Sequence, residues 1–371
     1  MRPSVQLASA ISLGLFITVA ATGAVQRGAT SPATSPGTPS DATARIVAAA
    51  QAVLSALEEA GRAKVQFPFE GPQKTRWSNL PGPMFQREGL RLGDLTPAQR
   101  TSVMTLLSTA LSRDGYRKVT DIMRGDEVLR KGQTEGRAGG PGGGAGRGGP
   151  PGGGGARGGG GVRFGEDEYY LAFLGTPSVT APWMLQYGGH HLAINLTLAG
   201  SQASMTPSLP AAQPASYTFE GRTVRPLGNE NDKAFALINA LNDAQRTQAI
   251  LGSRVADLVL GPGQDGRTIQ PEGIRASALS APQQTMLIDI VREWTGIMHD
   301  AFAEPRMAEI RTNLPQTYFA WSGPTTNGSA AYFRIQGPTL VIEYAPQNSV
   351  DHIHTIYRDP TNDYGAKLTR K

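Results

Sequence analysis

The sequence predicts an α+β fold, in which a largely antiparallel sheet is flanked by amphipathic helices. Two observations support this. Apolar residues recur at helical spacing in several blocks, and short segments rich in aromatic and β-branched residues occur in groups between those blocks. Groups of strands favour antiparallel pairing, whereas single strands alternating with helices favour parallel pairing. At 371 residues the chain can bury a large core, and we expect one domain over residues 43–371.

The first 42 residues are expected to precede that domain. Arg2, an apolar run from Leu7 to Ala21 and the small residues before Val25 are typical of a secretory signal peptide, which we place at residues 1–24. The run has about fifteen residues, fewer than the roughly twenty that span a bilayer, so no stable membrane insertion is expected after cleavage. Residues 25–42 are rich in Pro, Thr, Ser and Ala and are predicted to be a disordered linker.

Cysteine is absent from the chain. No thiol can therefore carry a lipid, and no disulfide can stabilise the fold. Together with the signal peptide, this predicts a secreted protein, periplasmic or extracellular. The formal net charge of +5 is mild and is partly carried by a glycine-rich tract and the C-terminal residues, so no nucleic-acid partner is expected.

The first amphipathic helix is predicted from Thr43 to about Gly61. Three later helix starts share the pattern Leu-[Ser/Thr/Asn]-x-x-Gln, at 95–99, 241–245 and 279–283. In this pattern the residue after leucine and the glutamine can form a capping box. The similarity suggests an internal duplication, although capping boxes are common and convergence is the alternative.

The third of these starts opens an apolar stripe that ends just before His299. We therefore predict that His299 lies at the C-terminal end of a helix, where the helix dipole favours its charged form. Between the second predicted helical region and the first strand, residues 132–161 are dominated by Gly with Arg and Pro, and we expect a disordered insertion there.

The remaining segments predict short strands. Aromatic and β-branched residues alternate with turn signals in six of them, at 169–174, 191–198, 317–321, 331–335, 339–344 and 352–357. Gly337-Pro338 separates the fourth segment from the fifth, which predicts a hairpin.

Four of the five histidines form two close pairs, His190-His191 and His352-x-His354. On a strand, residues two apart point to the same face, so His352 and His354 can bind one ligand together. If a strand begins at His191, its ring shares a face with Asn195, while His190 lies on the apolar face. We therefore predict His191, His352 and His354 as metal ligands and His190 as a buried ring bonded to a backbone carbonyl.

A set of histidines with one carboxylate suits zinc, copper or iron and leaves a position open for water or substrate. Glu343 is the first candidate for the carboxylate because it interrupts an apolar strand, where an unpaired acid is costly. Asp351, Asp359 and Asp363 are the second candidates. Glu343, Asp359 and Arg358 are the candidate catalytic residues.

Two other interpretations use the same residues. In one, Arg358 pairs with Asp359 or Glu343 and the C-terminal segment is a hydrogen-bonded network without an ion. In the other, the histidines and the segment 358–364 recognise an anionic, small-molecule or carbohydrate ligand. Further candidates for that site are Asn362, Asp363, Tyr364, Trp183 and Trp321, although buried tryptophans more often belong to a core.

Three segments carry a resemblance to a known family. They are 169–177 (YYLAFLGTP), 189–195 (GHHLAIN) and 352–365 (HIHTIYRDPTNDYG). In these segments the chain resembles the domain of unknown function 3500 family, over roughly residues 43–365. The resemblance implies a single exported domain with these histidines as its signature, and it implies no activity.

The functional hypotheses therefore differ in class. The first is a metal-dependent hydrolase, in which an ion activates water and Glu343 or Asp359 moves the proton. The alternatives are a non-catalytic binding or structural module and a copper or iron redox protein. Neither His-Glu-x-x-His nor Gly-x-Ser-x-Gly occurs, so two common hydrolase signatures are absent.

Overall fold

A computed structural model describes residue 1 and residues 37–138, 162–347 and 349–369. The predicted signal peptide, most of the predicted linker and residues 139–161 of the glycine-rich tract lie outside the described residues. Three predicted helix and linker boundaries differ from the structure. The helix predicted from Thr43 to about Gly61 ends at Ala56, and a second helix follows from Glu59 to Val65. The first helix begins at Pro39, inside the range predicted as linker, because Thr38 and Asp41 form a capping box there. The fourth helix extends to Ala138, into the range predicted as an insertion.

The described residues form eight α-helices and fourteen strands, which confirms the α+β prediction. The helices are α1 Pro39–Ala56, α2 Glu59–Val65, α3 Pro97–Ala110, α4 Arg113–Ala138, α5 Gly228–Ala240, α6 Asp243–Ala249, α7 Ala281–Thr295 and α8 Asp300–Thr312. The strands of the first half are β1 Gln66–Phe67, β2 Leu90–Arg91, β3 Tyr170–Leu174, β4 Trp183–Gly189, β5 Leu192–Ala199, β6 Gln202–Ser204, β7 Leu209–Pro210, β8 Tyr217–Phe219 and β9 Arg222–Val224. Those of the second half are β10 Ile274–Arg275, β11 Tyr318–Ser322, β12 Tyr332–Gly337, β13 Leu340–Pro346 and β14 Ile353–Arg358.

Two larger sheets contain most of the strands. One has the order β1-β3-β4-β5-β6, with β2 beside β3 and β7 beside β5, and the other has the order β10-β11-β12-β13-β14. Among the described strands only β1 and β3 pair in parallel, so the prediction of a largely antiparallel sheet is confirmed. The predicted hairpin is β12–β13, with Gly337 paired to Leu340.

The segment that contains β7 joins the two sheets. Pro210 pairs with Leu192 at the start of β5, while Ser208 and Ala212 form bridges to Tyr357 and Ile353 of β14. The β4–β5 turn of the first sheet therefore lies beside the beginning of β14 in the second.

The two halves repeat one order of elements. Apart from β1, which lies between α2 and β2 in the first half only, both halves contain two helices, a short strand, two further helices and three antiparallel strands. These are α1, α2, β2, α3, α4, β3–β5 and α5, α6, β10, α7, α8, β11–β13. All three predicted capping boxes are present, at the starts of α3, α6 and α7. Beyond its cap, Gln99 donates to the carbonyl of Ala56 at 3.0 Å, and Gln283 donates to that of Ala240 at 2.8 Å. An internal duplication would leave this repetition of contacts.

The contacts between the halves are reciprocal. The amide of Ser112 donates to the carbonyl of Ile297 at 3.0 Å, and the amide of His299 donates to that of Ala110 at 3.2 Å. Each bond joins the connection between α3 and α4 to the connection between α7 and α8. A local two-fold axis would arrange the two connections in this way. Leu111 and Met298 form the bridge at the centre.

Packing of helices on the sheets forms the core. One cluster joins α1, α3 and α4 to β3–β5, and another joins α5, α7 and α8 to β11–β14. Trp183 lies edge-on to Phe173 at 5.9 Å, and Trp321 stacks on Phe333 at 6.2 Å. Both tryptophans are fully buried, so they belong to the core and do not line a cleft. In the described part of the chain, no helix combines the length and apolar character needed to cross a membrane.

His299 differs from its prediction. Its Nδ1 accepts a hydrogen bond from the amide of Ala301 at 3.1 Å, so it caps the N-terminus of α8. Burial lowers its pKa. The prediction of a charged histidine at a helix C-terminus was wrong, because the chain turns directly from α7 into a new helix.

Candidate metal centre

The first histidine pair is the whole turn between β4 and β5. Gly189 pairs with Leu192, and only His190 and His191 lie between them. His191, the second residue of this turn, has a positive φ of 60°, as the second central residue of a type II turn does. β5 therefore begins one residue later than predicted, and the alternation of strand faces does not apply to these two rings. Instead the rings are tilted by 32° to each other, with their centroids 3.5 Å apart.

Asp126 anchors this turn from α4. Val119, Ile122 and Met123 form the buried stripe of the helix, and Asp126 is the next residue on that face, with 1% of its surface exposed. Its Oδ1 lies 2.8 Å from Nδ1 of His190. His190 was predicted to bind a backbone carbonyl, and it binds this carboxylate instead.

The same carboxylate serves two other groups. The hydroxyl of Tyr169 donates to Oδ2 of Asp126 at 2.9 Å and also contacts the carbonyl of His190 at 2.8 Å. Nδ1 of His191 is 3.7 Å from Oδ1. Burial by itself would raise the pKa of Asp126, but the hydrogen bond with His190 and the nearby ring of His191 outweigh burial and lower it. Asp126 is therefore a buried anion that faces N–H donors.

The second histidine pair comes from the other half of the chain. His354 lies on β14 and His352 directly precedes it, and their ring centroids are 4.7 Å apart, so the prediction that they share a face is confirmed. Nδ1 of His354 lies 3.1 Å from Oδ1 of Asp257. Its Nε2 is 3.2 Å from Nδ2 of Asn79.

The joining segment brings the two pairs together. The amide of Ala211 donates to the carbonyl of His191 at 2.8 Å, and the amide of Ala212 donates to that of Ile353 at 2.9 Å, between the two histidines of β14. Nε2 of His191 and Nε2 of His352 are 3.0 Å apart. His191, His352 and His354 each offer a ring nitrogen within 4.8 Å of the others, as predicted from the sequence.

The electrostatics of these rings suit metal binding. Burial lowers the pKa of His191 to about 3 and that of His352 to about 4, so both rings are neutral at pH 7. Neutral imidazole is the form that binds a metal ion. Asp257 lies 3.1 Å from Nδ1 of His354, which favours a proton on that atom and leaves its lone pair on Nε2. Among the described residues, Nδ1 of His191 has no partner within hydrogen-bond geometry.

A second group, Asp126, His190 and His191, also has ligand atoms close enough to hold a metal ion. Its two rings are tilted by 32° to each other. Its carboxylate oxygen Oδ1 already binds Nδ1 of His190 at 2.8 Å, so an ion there would have to replace that hydrogen bond. The group of His191, His352 and His354 instead consists of three imidazoles, and Asp126 lies 3.7 Å from Nδ1 of its His191.

Glu343 is not brought to the histidines. The side chain is fully buried. Its carboxylate accepts from the amides of Val259 and Leu260 at 2.9 and 2.7 Å and from the hydroxyl of Tyr332 at 2.6 Å. An acid interrupts this apolar strand because it fixes the loop that carries Asp257, two residues before Val259.

Arg358 forms a buried network in the C-terminal segment. It binds Asp363 at 2.8 Å, Asp265 at 3.2 Å and the carbonyl of Leu260 at 2.8 Å. The predicted partners of Arg358 were Asp359 or Glu343, so this part of the prediction was wrong. Burial raises the pKa of Asp363 to about 6 despite the guanidinium beside it. The hydroxyl of Tyr364 donates to Asp265 at 2.6 Å.

The other predicted residues lie in hydrogen-bonded positions away from the three rings. Asp359 accepts from the amide of Thr361 at 2.9 Å and lies 3.2 Å from Arg306. Asn362 accepts from the amide of Lys367 at 2.8 Å. These contacts and those of Arg358 match the predicted network that attaches the C-terminal segment to the sheet.

Asn195 and Asp351 likewise bind elsewhere. Asn195 accepts from Gln186 at 3.0 Å and donates to the carbonyl of Pro207 at 2.9 Å. Asp351 is exposed and accepts from the amide of Ala215 at 3.0 Å.

Sequence reasoning missed Asp126, Asp257 and Asn79. Asp126 had a detectable signal, because an acid at its position breaks the apolar stripe of an amphipathic helix. Asp257 and Asn79 lie in irregular segments, where no periodicity distinguishes a site residue from any other polar residue.

Comparisons with known proteins add a family and no activity. No curated protein and no solved structure matches the chain significantly. The family model described as protein of unknown function (DUF3500) matches residues 40–366, which is most of the chain and includes both histidine pairs. The chain therefore belongs to the domain of unknown function 3500 family.

Proposed function

We propose that this protein binds one transition-metal ion, zinc in the first instance, through Nε2 of His191, His352 and His354. One observation carries the proposal: ring nitrogens of three histidines from two segments of the chain lie within 4.8 Å of one another, and Asp257 lies 3.1 Å from Nδ1 of His354. A carboxylate behind a histidine fixes its tautomer and orientation and raises its basicity as a ligand.

The donor set favours a catalytic over a structural ion. Structural zinc sites use four protein ligands, commonly with thiolates, whereas three histidines leave a fourth position for water or substrate. His352 is partly exposed, so the group of rings is not fully enclosed. Bound zinc would lower the pKa of a coordinated water and polarise a carbonyl or phosphoryl group, so we propose a hydrolase acting on a small-molecule or carbohydrate substrate.

The chain's own residues would hold and orient the site. Asp257 keeps the Nδ1 proton of His354 in place, Asp126 lies behind His191 at 3.7 Å, and Glu343 supports the loop of Asp257. The proton-transfer role that the sequence suggested for Glu343 and Asp359 is not part of this proposal, because both carboxylates are engaged away from the rings. We further propose that the protein is exported, on the strength of its N-terminal sequence, and N-terminal sequencing of the mature protein would test this.

Metal content is the decisive measurement. Protein purified without an affinity tag from its own exported compartment should contain about one zinc ion per chain, and His352→Ala and His354→Ala should each lose most of it. His299→Asn is the matched control, since it removes a histidine outside the group and retains a capping side chain. The proposal would be overturned if the protein is purified without metal and its melting temperature is unchanged by chelators. That result would leave a plain His191–His352 hydrogen bond and favour the non-catalytic module.

Copper redox chemistry is the second candidate. The observation that favours it is the donor set, because three imidazoles without a thiolate suit copper as well as zinc. A copper(II) paramagnetic resonance signal at one spin per chain would support it, and stoichiometric zinc without such a signal would exclude it.

A further inference from the structure

We infer that the side-chain amide of Asn79 donates a hydrogen bond to the exogenous ligand in the open position of the metal centre. The inference rests on the proposed metal site. Asn79 is 8% exposed, and its Nδ2 lies 3.2 Å from Nε2 of His354, the nitrogen whose lone pair faces the proposed ion. The amide therefore borders the space that a fourth ligand would share with the ion.

The position of Asn79 is fixed from three directions. Its carbonyl accepts from the amide of His191 at 3.2 Å, which ties it to the histidine turn. One guanidinium nitrogen of Arg87 binds the carbonyls on both sides of it, Ser78 and Leu80, each at 2.7 Å. The same nitrogen binds the carbonyl of Gly189, directly before the turn, at 2.7 Å. Arg87 thus holds the segment of Asn79 and the turn in one arrangement.

The chemistry of an amide decides what it can do there. The amide NH₂ group donates hydrogen bonds and has no lone pair for a cation. Once an ion takes the lone pair of Nε2 of His354, Nδ2 loses its present acceptor. An oxygen or anion in the open position is then the acceptor within reach. A fixed donor aimed at that position stabilises negative charge there without reorganisation.

This deepens the proposed function by defining the ligand class. The site would favour ligands that place a charged or strongly polar oxygen or nitrogen at the ion, such as carbonyl or phosphoryl groups and small inorganic anions. Ligands that offer only a neutral amine would gain nothing from Asn79.

Anion affinity tests the inference without relying on turnover. Wild-type protein and the Asn79→Ala and Asn79→Ser variants are loaded with cobalt(II), and azide is titrated while the visible absorption bands of cobalt are followed. Asn79→Ala should keep one cobalt per chain and bind azide about tenfold or more weakly, as for loss of one hydrogen bond to a charged group. Asn79→Ser, which retains a shorter donor, should lie between the two. Asn239→Ala, which removes an amide elsewhere, should match wild type.

The outcomes separate this inference from the proposed function. Wild-type protein that takes up neither cobalt nor zinc would refute the metal centre itself. Cobalt-loaded Asn79→Ala with unchanged azide affinity would overturn the role of Asn79 and leave the centre standing. Loss of cobalt from Asn79→Ala, with a folded circular dichroism spectrum, would also overturn it, because Asn79 would then be a fourth ligand through its oxygen. If Asn79→Ala does not fold, the azide affinity of Asn79→Ser decides.

Discussion

Replacing Asp126 by asparagine tests whether a buried carboxylate orients the metal-binding rings. The substitution keeps the size of the side chain, so no cavity forms. It exchanges an acceptor-only group for one with two N–H donors. The amide nitrogen would replace one of the two oxygens, so its donors would face either Nδ1 of His190 or the hydroxyl of Tyr169, which now lie 2.8 and 2.9 Å from those oxygens. The preference for a proton on Nδ1 of His191, 3.7 Å away, would weaken as well.

Two magnitudes follow from these contacts. Loss of a carboxylate behind a ligand histidine typically reduces metal affinity 10- to 100-fold, which is about 1.4 to 2.8 kcal/mol. Hydrogen bonds to a charged group contribute about 1.5 to 3 kcal/mol each to stability. Removing a buried charge returns part of that, so we expect the free energy of unfolding of the metal-free protein to fall by about 2 kcal/mol.

Zinc affinity is measured by competition with a chromophoric chelator, and stability by urea unfolding of the metal-free protein. Asp351→Asn is the control, because it makes the same chemical change at an exposed carboxylate that binds only a backbone amide nearby. Folded Asp126→Asn with a zinc affinity within twofold of wild type would refute the orienting role of Asp126.

Three further predictions concern stability. His191 has a pKa of about 3 in the folded protein and about 6.5 when unfolded, so the unfolded chain takes up its proton first as the pH falls. The contribution of His191 to the free energy of unfolding of metal-free protein should therefore be constant above pH 6.5 and fall by up to about 1.4 kcal/mol per pH unit below it. Urea unfolding of wild type and His191→Asn at pH 7.5 and 5 measures this. An equal change in the free energy of unfolding between the two pH values in both proteins would contradict it. Glu343→Gln should lower the free energy of unfolding by about 1 to 3 kcal/mol, because the two backbone amides it binds lose a charged acceptor, whereas the exposed Glu309→Gln should change little. Thr96→Ala and Ser280→Ala should each cost about 1 kcal/mol in thermal unfolding, because each removes a helix N-cap; an unchanged melting temperature would show that the caps add nothing to the packed helices.

Local signals in the sequence predicted much of the fold. The capping boxes were recognisable because their two residues are three apart and bind each other. The shared face of His352 and His354 followed from the two-residue period of a strand. His191 was correctly grouped with them, but for a different reason: its ring reaches the group from a tight turn, with a positive φ that the strand interpretation did not include.

Non-local contacts account for what the sequence did not predict. Asp126 is 64 residues from His190 and Asp257 is 97 residues from His354, so only the folded chain joins them. Glu343 shows the limit of composition arguments. An acid in an apolar strand indicates that a partner exists, but the partner proved to be a pair of backbone amides and a tyrosine.

The repeated halves of the fold bear on how such a site can arise. The turn of His190 and His191 meets Asp126 from α4, whereas the matching β12–β13 turn places Thr339 against Arg306 from α8. The two turns occupy matching places in the repeated order of elements but carry different side chains. An internal duplication followed by divergence of the two turns would produce this difference. The histidine cluster is an asymmetric feature on a frame whose two halves repeat one order of elements.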